Sequence, residues 1–248
     1  FIHNNAYYSP GPNGVNTDVV RTEFRDNVAW QATKDVCASA AILQYSTMTD
    51  CAVIGGTGSS AIYVNQDWGG IRTTLRNCLI AGNISRYKAT VDIGAATSKL
   101  TMINCTVVDN VASDTASAGV GGVVGTDHSY VSYATVENCI FHNNKLGGVE
   151  VDLPTGMDRI DLTISNTRFA EAADYPSAGN LADDPRLRTS RKRKYTLRPS
   201  SPCIDAGADL DWTRDDRDLA GQPRWIGRAV DMGCYEEPPP QGLMLFVR

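Results

Sequence analysis

Apolar and polar positions alternate along this chain over short runs, and Gly, Asn, Asp and Ser separate the runs. No stretch of about 12 residues carries the spacing of an amphipathic helix. The runs repeat. Asp50-Cys51-Ala52-Val53 matches Asn77-Cys78-Leu79-Ile80, Asn104-Cys105-Thr106-Val107 and Asn138-Cys139-Ile140-Phe141. Degenerate copies are Arg21-Thr22-Glu23-Phe24 and Asn166-Thr167-Arg168-Phe169. The anchors at 22, 51, 78, 105, 139 and 167 are 29, 27, 27, 34 and 28 residues apart. Two residues after each anchor stands Phe24, Val53, Ile80, Val107, Phe141 or Phe169. Five residues after it, Asn27, Asn83, Asn110 and Asn144 recur, with Gly56 in the second copy. A second strand-like stretch precedes the later anchors: Ile62-Tyr63-Val64, Val91-Asp92-Ile93, Val123-Val124 and Val149-Glu150-Val151.

This period predicts an all-β coil of short parallel strands, each turn stacked on the last at about 4.8 Å. The apolar +2 residues form an inward column. The +5 asparagines sit at corners, take the left-handed conformation and bond along a ladder of amides. The 34-residue step places about 7 extra residues in one loop, around Ser113-Asp114-Thr115-Ala116-Ser117. Phe1-Ile2-His3-Asn4-Asn5 aligns with Ile140-Phe141-His142-Asn143-Asn144, so the chain is expected to begin within a rung.

The Asn-Cys-x-(Val/Ile/Phe)-x-x-Asn anchor resembles the rung of the right-handed parallel β-helix of the pectin-lyase-like superfamily. The resemblance covers residues 1–175. A closing segment, 176–236, contains Ser201-Pro202-Cys203-Ile204-Asp205-Ala206-Gly207, then Asp218-Leu219-Ala220-Gly221-Gln222-Pro223-Arg224, then Val230-Asp231-Met232-Gly233-Cys234-Tyr235-Glu236. These pieces resemble the SPxIDAG, DLxGxPR and VDMGxYE closing motifs of many secreted bacterial β-helix proteins. The resemblance implies an extracellular or cell-surface location and no particular reaction. It also places Cys203 and Cys234 close together, where the pattern usually has Ala, and so implies a disulfide between them. Residues 237–248 form a Pro-rich spacer and a terminal strand. Its apolar run Leu243, Met244, Leu245, Phe246 and Val247 is expected to fold back, to join a second copy end to end, or to meet a further domain.

A net charge of −5 gives no sign of a nucleic-acid binder, and no run of about 18 apolar residues predicts a membrane span. Of the seven cysteines, Cys51, Cys78, Cys105 and Cys139 share the anchor position, which predicts a buried core column rather than a metal site. Cys37 reads as a buried free thiol.

Seven basic residues fall between Arg186 and Arg198. Arg188, Arg191, Lys192, Arg193 and Lys194 could bind a polyanion such as an acidic glycan. The plainer expectation is a solvated loop paired with the acidic stretch 205–218. Within that stretch Asp209, Asp211, Asp215 and Asp216 could ligate Ca²⁺, the one cofactor the sequence suggests.

For catalysis, Glu150 and Asp152 are two residues apart on one predicted strand, at roughly 6.8 Å, in the range for inverting hydrolysis. Asp127 and His128 precede them and Arg159 follows. The alternative is that Val149 and Val151 point inward and both carboxylates merely face water. Asn16-Thr17-Asp18 and Asp183-Asp184 match fragments of the polygalacturonase pattern, but its Gly-His-Gly and Arg-Ile-Lys pieces are absent. Trp68, Trp212 and Trp225 could offer sugar-stacking faces. The expected function is a secreted or surface protein with a structural, adhesive or assembly role, without catalysis. The alternatives are a lyase or glycoside hydrolase acting on an acidic glycan, and a glycan-binding module.

Overall fold

The computed structural model describes residues 5–6, 13–29, 38–64, 72–94, 98–112, 124–125, 131–150, 152, 160–175, 177 and 179–238. The chain winds as a parallel β-solenoid with four sheets, one strand of each sheet per turn. Sheet 1 contains Asp18–Val20, Thr47–Thr49, Arg72–Arg76, Lys99–Ile103, Ser132–Glu137 and Ile160–Ser165. Sheet 2 contains Glu23–Arg25, Ala52–Ile54, Leu79–Ala81, Thr106–Val108 and Ile140–His142. Sheet 3 is built of two-residue strands, from Asn5–Ala6 and Val28–Ala29 to Lys145–Leu146. Sheet 4 runs from Asn13–Val15 through Ala38–Gln44, Ser60–Val64 and Val91–Ile93 to Val124–Gly125. Each complete turn therefore has four strands, two more than the sequence pattern distinguishes, because strands of two or three residues carry too little alternation to be seen.

Register stacks equivalent positions. Phe24, Val53, Ile80, Val107 and Phe141 are successive partners in sheet 2, and Phe169 continues the column through the Ile140–Arg168 bridge. All six are buried in one core with Val19, Met48, Leu75, Met102, Val136 and Ile164 of sheet 1. Cys51, Cys78, Cys105 and Cys139 lie in that core as free thiols. Each S–H donates to the carbonyl two residues earlier, as Cys51 does to Thr49 at 3.1 Å and Cys139 to Glu137 at 3.2 Å. Thr22 and Thr167 make the same bond with a hydroxyl, at 3.1 and 2.7 Å. The slot selects a small donor, so Thr and Cys interchange there.

The amide ladder runs along the +5 positions. Asn83 Nδ2 donates to Asn110 Oδ1 and Asn110 Nδ2 to Asn144 Oδ1, both at 2.9 Å. Each amide also donates to a carbonyl of the preceding turn, as Asn110 does to Ile80 at 2.9 Å. The left-handed conformation falls elsewhere than expected. It is taken by the residue before each anchor and the residue before each ladder amide: Asp50 (φ 53°), Asn77 (58°), Asn104 (48°) and Asn138 (54°), and Asp26 (51°), Gly55 (69°) and Asp109 (55°). Asp, Asn and Gly recur at these two positions because they tolerate positive φ.

Val149–Glu150 does not occupy sheet 4 as its sequence suggested. Gly147 and Gly148 both have positive φ, 54° and 88°, which suits a two-residue hairpin turn. Val149–Glu150 pairs antiparallel with Lys145–Leu146 in sheet 3, and Val149 is exposed. At the other end, Asn5 pairs with Val28, one residue out of register with the alignment made from sequence. The residues of the predicted long loop, 113–117, lie outside the described set, as do 239–248 with the apolar run Leu243 to Val247.

Candidate binding groove

Sheet 2 is apolar on its inner face and, over its middle turns, largely apolar on its outer face as well. Its outer face carries Ala52, Leu79 and Ile140 in one column and Ile54, Ala81 and Val108 in the next. Such a face must be covered, and the closing segment covers it. Leu79, Ala81 and Val108 pack with Cys234, Leu219 and Tyr235. Ile140 packs with Leu197, Cys203 and Met232. The segment is also fastened to the left-handed asparagine corner. Asn77 donates to the Arg217 carbonyl at 2.8 Å, and Asn138 donates to the Ala208 carbonyl at 2.9 Å and accepts the Ala208 N–H at 2.7 Å.

The polar residues of the closing motifs are consumed in holding that cover together. Asp218 accepts the N–H groups of Gln222 and Glu236 at 2.7 and 2.9 Å. Asp231 accepts those of Asp205 and Glu237, both at 2.8 Å. Asp205 accepts those of Arg228 and Ala229 at 2.8 and 3.2 Å. Arg224 is fully buried, donates to the carbonyls of Asp231 and Gly233, and lies 3.4 Å from Glu236. Burial pushes Glu236 up to about 9, although Arg224 pulls the other way, and pushes Asp231 up to about 6. A side chain on Gly207 would meet Val230 at 2.8 Å, which accounts for glycine at that point of the motif.

The implied Cys203–Cys234 disulfide is not formed; both thiols are free. Cys203 shares backbone pairing with Met232, and the two cysteines enter different apolar clusters. Burial raises each thiol to about 12, so both stay protonated and poorly nucleophilic.

Between this cover and the first turns lies a groove of about 1220 Å³. Ala52, Ile54 and Leu79 of sheet 2 line it with Leu219 and the tyrosines 195 and 235. Its cations are Arg21, Arg25, Arg191, Lys192, Lys194 and Arg217. Against these six stand three carboxylates, Glu23, Asp50 and Asp218, so the groove carries an excess of three positive charges in a chain of net −5. Glu23 is held by Arg25, Asp50 lies 3.8 Å from Arg21, and Asp218 is spent on backbone N–H groups. Arg191 and Lys192 are exposed and have no ion-pair partner among the described residues.

The basic run forms a hairpin, with Leu187 bridged to Leu197 and Arg188 paired in backbone with Tyr195 and Thr196. It is not paired with the acidic stretch. Its partner is Glu237, whose carboxylate takes both Arg188 nitrogens at 2.6 and 2.7 Å and Arg193 at 2.8 Å. On the other side Tyr195 donates its hydroxyl to Asp109 at 2.9 Å, and burial beside that carboxylate raises the phenol. Two anchors thus hold the tip bearing Arg191, Lys192 and Lys194 over the outer face of sheet 2.

Of the other predicted site residues, only some are described. Asp152 does not face water. It is fully buried, bonded to Arg168 at 2.7 Å and to the N–H groups of Asn144 and Ala170 at 3.3 and 3.1 Å. It ends the asparagine ladder in the place of a further amide, with Arg168 neutralising its charge. Asp127, His128, Arg159, Trp68 and the Glu150 side chain lie outside the described residues. Asp209 is paired with Arg214, Asp216 lies 4.0 Å from Arg76, and Asp211 and Asp215 are exposed. Among the described residues no three His, Cys, Asp or Glu gather as a metal site, and no helix is long and apolar enough to cross a membrane. Trp212 and Trp225 each have a guanidinium on the ring, Arg76 at 4.8 Å and Arg214 at 4.4 Å.

Sequence reasoning missed Arg21, Arg25, Tyr195, Tyr235 and Glu237. One signal was available: Leu79-Ile80-Ala81 reads apolar on both faces, which calls for a cover. No protein-family model matches the chain, and no curated protein matches it.

Proposed function

We propose that this chain is a secreted or cell-surface protein of the pectin-lyase-like kind that works by adhesion, holding an acidic polysaccharide in the basic groove without cutting it. The secreted, surface-borne part of the reading rests on the closing motifs. The groove carries the rest. Its apolar and tyrosine lining suits the C–H faces of sugar rings, and its surplus cations suit carboxylates spaced along a chain. Non-catalytic action is supported by the state of the carboxylates there. Glu23 and Asp50 have arginine neighbours and Asp218 is buried on backbone donors, so among the described groove residues no pair stands free as acid and base.

The test is affinity electrophoresis through gels containing polygalacturonate, with dextran as the neutral control, alongside assays for new reducing ends and unsaturated uronates. Retardation by polygalacturonate alone is expected, weakening steeply between about 50 and 200 mM salt. No product should accumulate. Equal mobility in both gels would end the adhesive reading, and product formation would replace it with a lyase or hydrolase.

A further inference from the structure

We propose that a second compartment beside the groove is a separate binding site for a tetrahedral oxyanion, phosphate or sulfate, taken up free or as a substituent on a larger molecule. The compartment encloses about 490 Å³ and meets the groove at Thr189, Lys194 and Tyr195. Arg186, Arg188, Lys194 and Arg198 line it against only two carboxylates, Asp109 and Asp184, an excess of two positive charges. Both carboxylates are already engaged. Asp109 accepts from Tyr195 at 2.9 Å and Asn143 at 2.7 Å, and Asp184 accepts the Arg186 N–H at 2.7 Å. Of the cations, Arg188 is taken by Glu237, and Arg186 spends one donor on the Ser200 carbonyl at 2.8 Å. Lys194 rests its ammonium 4.5 Å from the centre of the Tyr195 ring, and its N–H donors, with those of Arg198 and the rest of Arg186, are left for a ligand.

His142 decides the character of the site. It ends the outward column of sheet 2 after Val108, and its Nδ1 is buried without a hydrogen-bond partner among the described residues. An orphan nitrogen on the compartment wall is costly, and with the ring proton on Nδ1 it would donate to a ligand oxygen. The donors come from different elements: the sheet face (His142), the hairpin tip (Lys194) and the hairpin base (Arg186, Arg198). A carboxylate meets donors within one plane. A phosphate or sulfate offers oxygens in four directions, and its charge matches the local excess. This site shares Thr189, Lys194 and Tyr195 with the groove of the polysaccharide reading and otherwise stands on different residues.

Isothermal titration of the intact chain with inorganic phosphate, then sulfate, at low ionic strength tests it. Saturable one-site binding is expected, weakened about tenfold by Arg198→Ala and by His142→Gln, and little changed by Arg198→Lys or by Lys192→Ala in the groove. Tryptophan fluorescence checks that each variant is folded. Competition of phosphate against sulfated dextran separates the two sources: displacement identifies a polymer substituent, and independent binding a free anion. Only heats of dilution up to about 20 mM, or equal loss in Lys192→Ala, would overturn the site. Polygalacturonate carries neither group, so its failure to bind leaves this result untouched.

Discussion

Glu237→Gln sets two physical effects against each other. The substitution removes a negative charge beside a cationic hairpin. Simple Coulomb reasoning then predicts tighter binding of a polyanion, by under about 1 kcal/mol for charges a few ångströms or more apart in water. The structure predicts the reverse. The Glu237 carboxylate, only 6% exposed, is the common partner of Arg188 at the hairpin base and Arg193 at the tip. Glutamine keeps the shape but cannot accept from three guanidinium nitrogens with charge assistance. Hydrogen bonds to charged groups contribute about 1.5–3 kcal/mol each. Arg193 is half exposed and its share is small, whereas Arg188 is 18% exposed and would lose its bidentate partner. A cost of about 2 kcal/mol to the ordered hairpin follows. The tip must then be ordered at the ligand's expense, and affinity falls by roughly the fraction of molecules that keep it in place. Polygalacturonate binding should weaken about three- to tenfold, with Glu237→Asp in between. Affinity electrophoresis at two salt concentrations measures it, with near-ultraviolet circular dichroism to confirm the fold. Binding as tight as that of the parent chain, or tighter, would refute the positioning role and leave only bulk charge.

Val107→Asp puts a charge in the middle of the inward column and should cost at least about 4 kcal/mol, read as a lowered urea midpoint. Asn110→Ala leaves the Ile80 carbonyl and the Asn83 N–H without their buried partner and should cost about 2–5 kcal/mol by the same assay, whereas a loss within about 0.5 kcal/mol would remove the ladder's importance. The closing segment should loosen as pH rises. An acid held above its unfolded pKa binds its proton more tightly when folded, so its contribution is complete below the unfolded value and disappears by the folded one. That window is 3.8 to about 6 for Asp231 and 4.5 to about 9 for Glu236. Tryptophan fluorescence in urea should therefore show a lower midpoint at pH 9 than at pH 5, and a rise would contradict the assignment.

The inward half of the fold was legible because a solenoid writes its core as a period. Position +2 repeats a large apolar residue and the anchor repeats a small donor, whatever surrounds them. Conformation was harder to place. The +5 amide was credited with the left-handed corner when its neighbour takes it, because Asn suits both tasks and the sequence does not separate them. Asp152 was misplaced for a related reason. Alternation alone extends the strand past Glu150, and only the positive φ of Gly147 and Gly148 turns the chain back and leaves Asp152 under Arg168.

The groove could not be read from the chain because no single segment contains it. Arg21 and Arg25 come from the first turn, the floor from the next two, Arg191 to Lys194 from the hairpin and Arg217 to Tyr235 from the closing segment. What joins them is a packing requirement. An outer sheet face bearing Leu79, Ala81, Val108 and Ile140 has to be covered, and the closing motifs supply the cover through bonds they make largely among themselves and to the asparagine corner. Their aspartates, which could be taken for chemistry, therefore serve architecture. Among the described residues the cover thins over the earliest turns, where Arg25 replaces the apolar residue of the outward column and Ile54, packed at the edge of the covered cluster, is only partly buried. That thinly covered stretch is where the groove's cations collect. The same covering that makes the closing segment structural thus leaves, at its edge, the basic groove on which the proposed binding of an anionic chain rests.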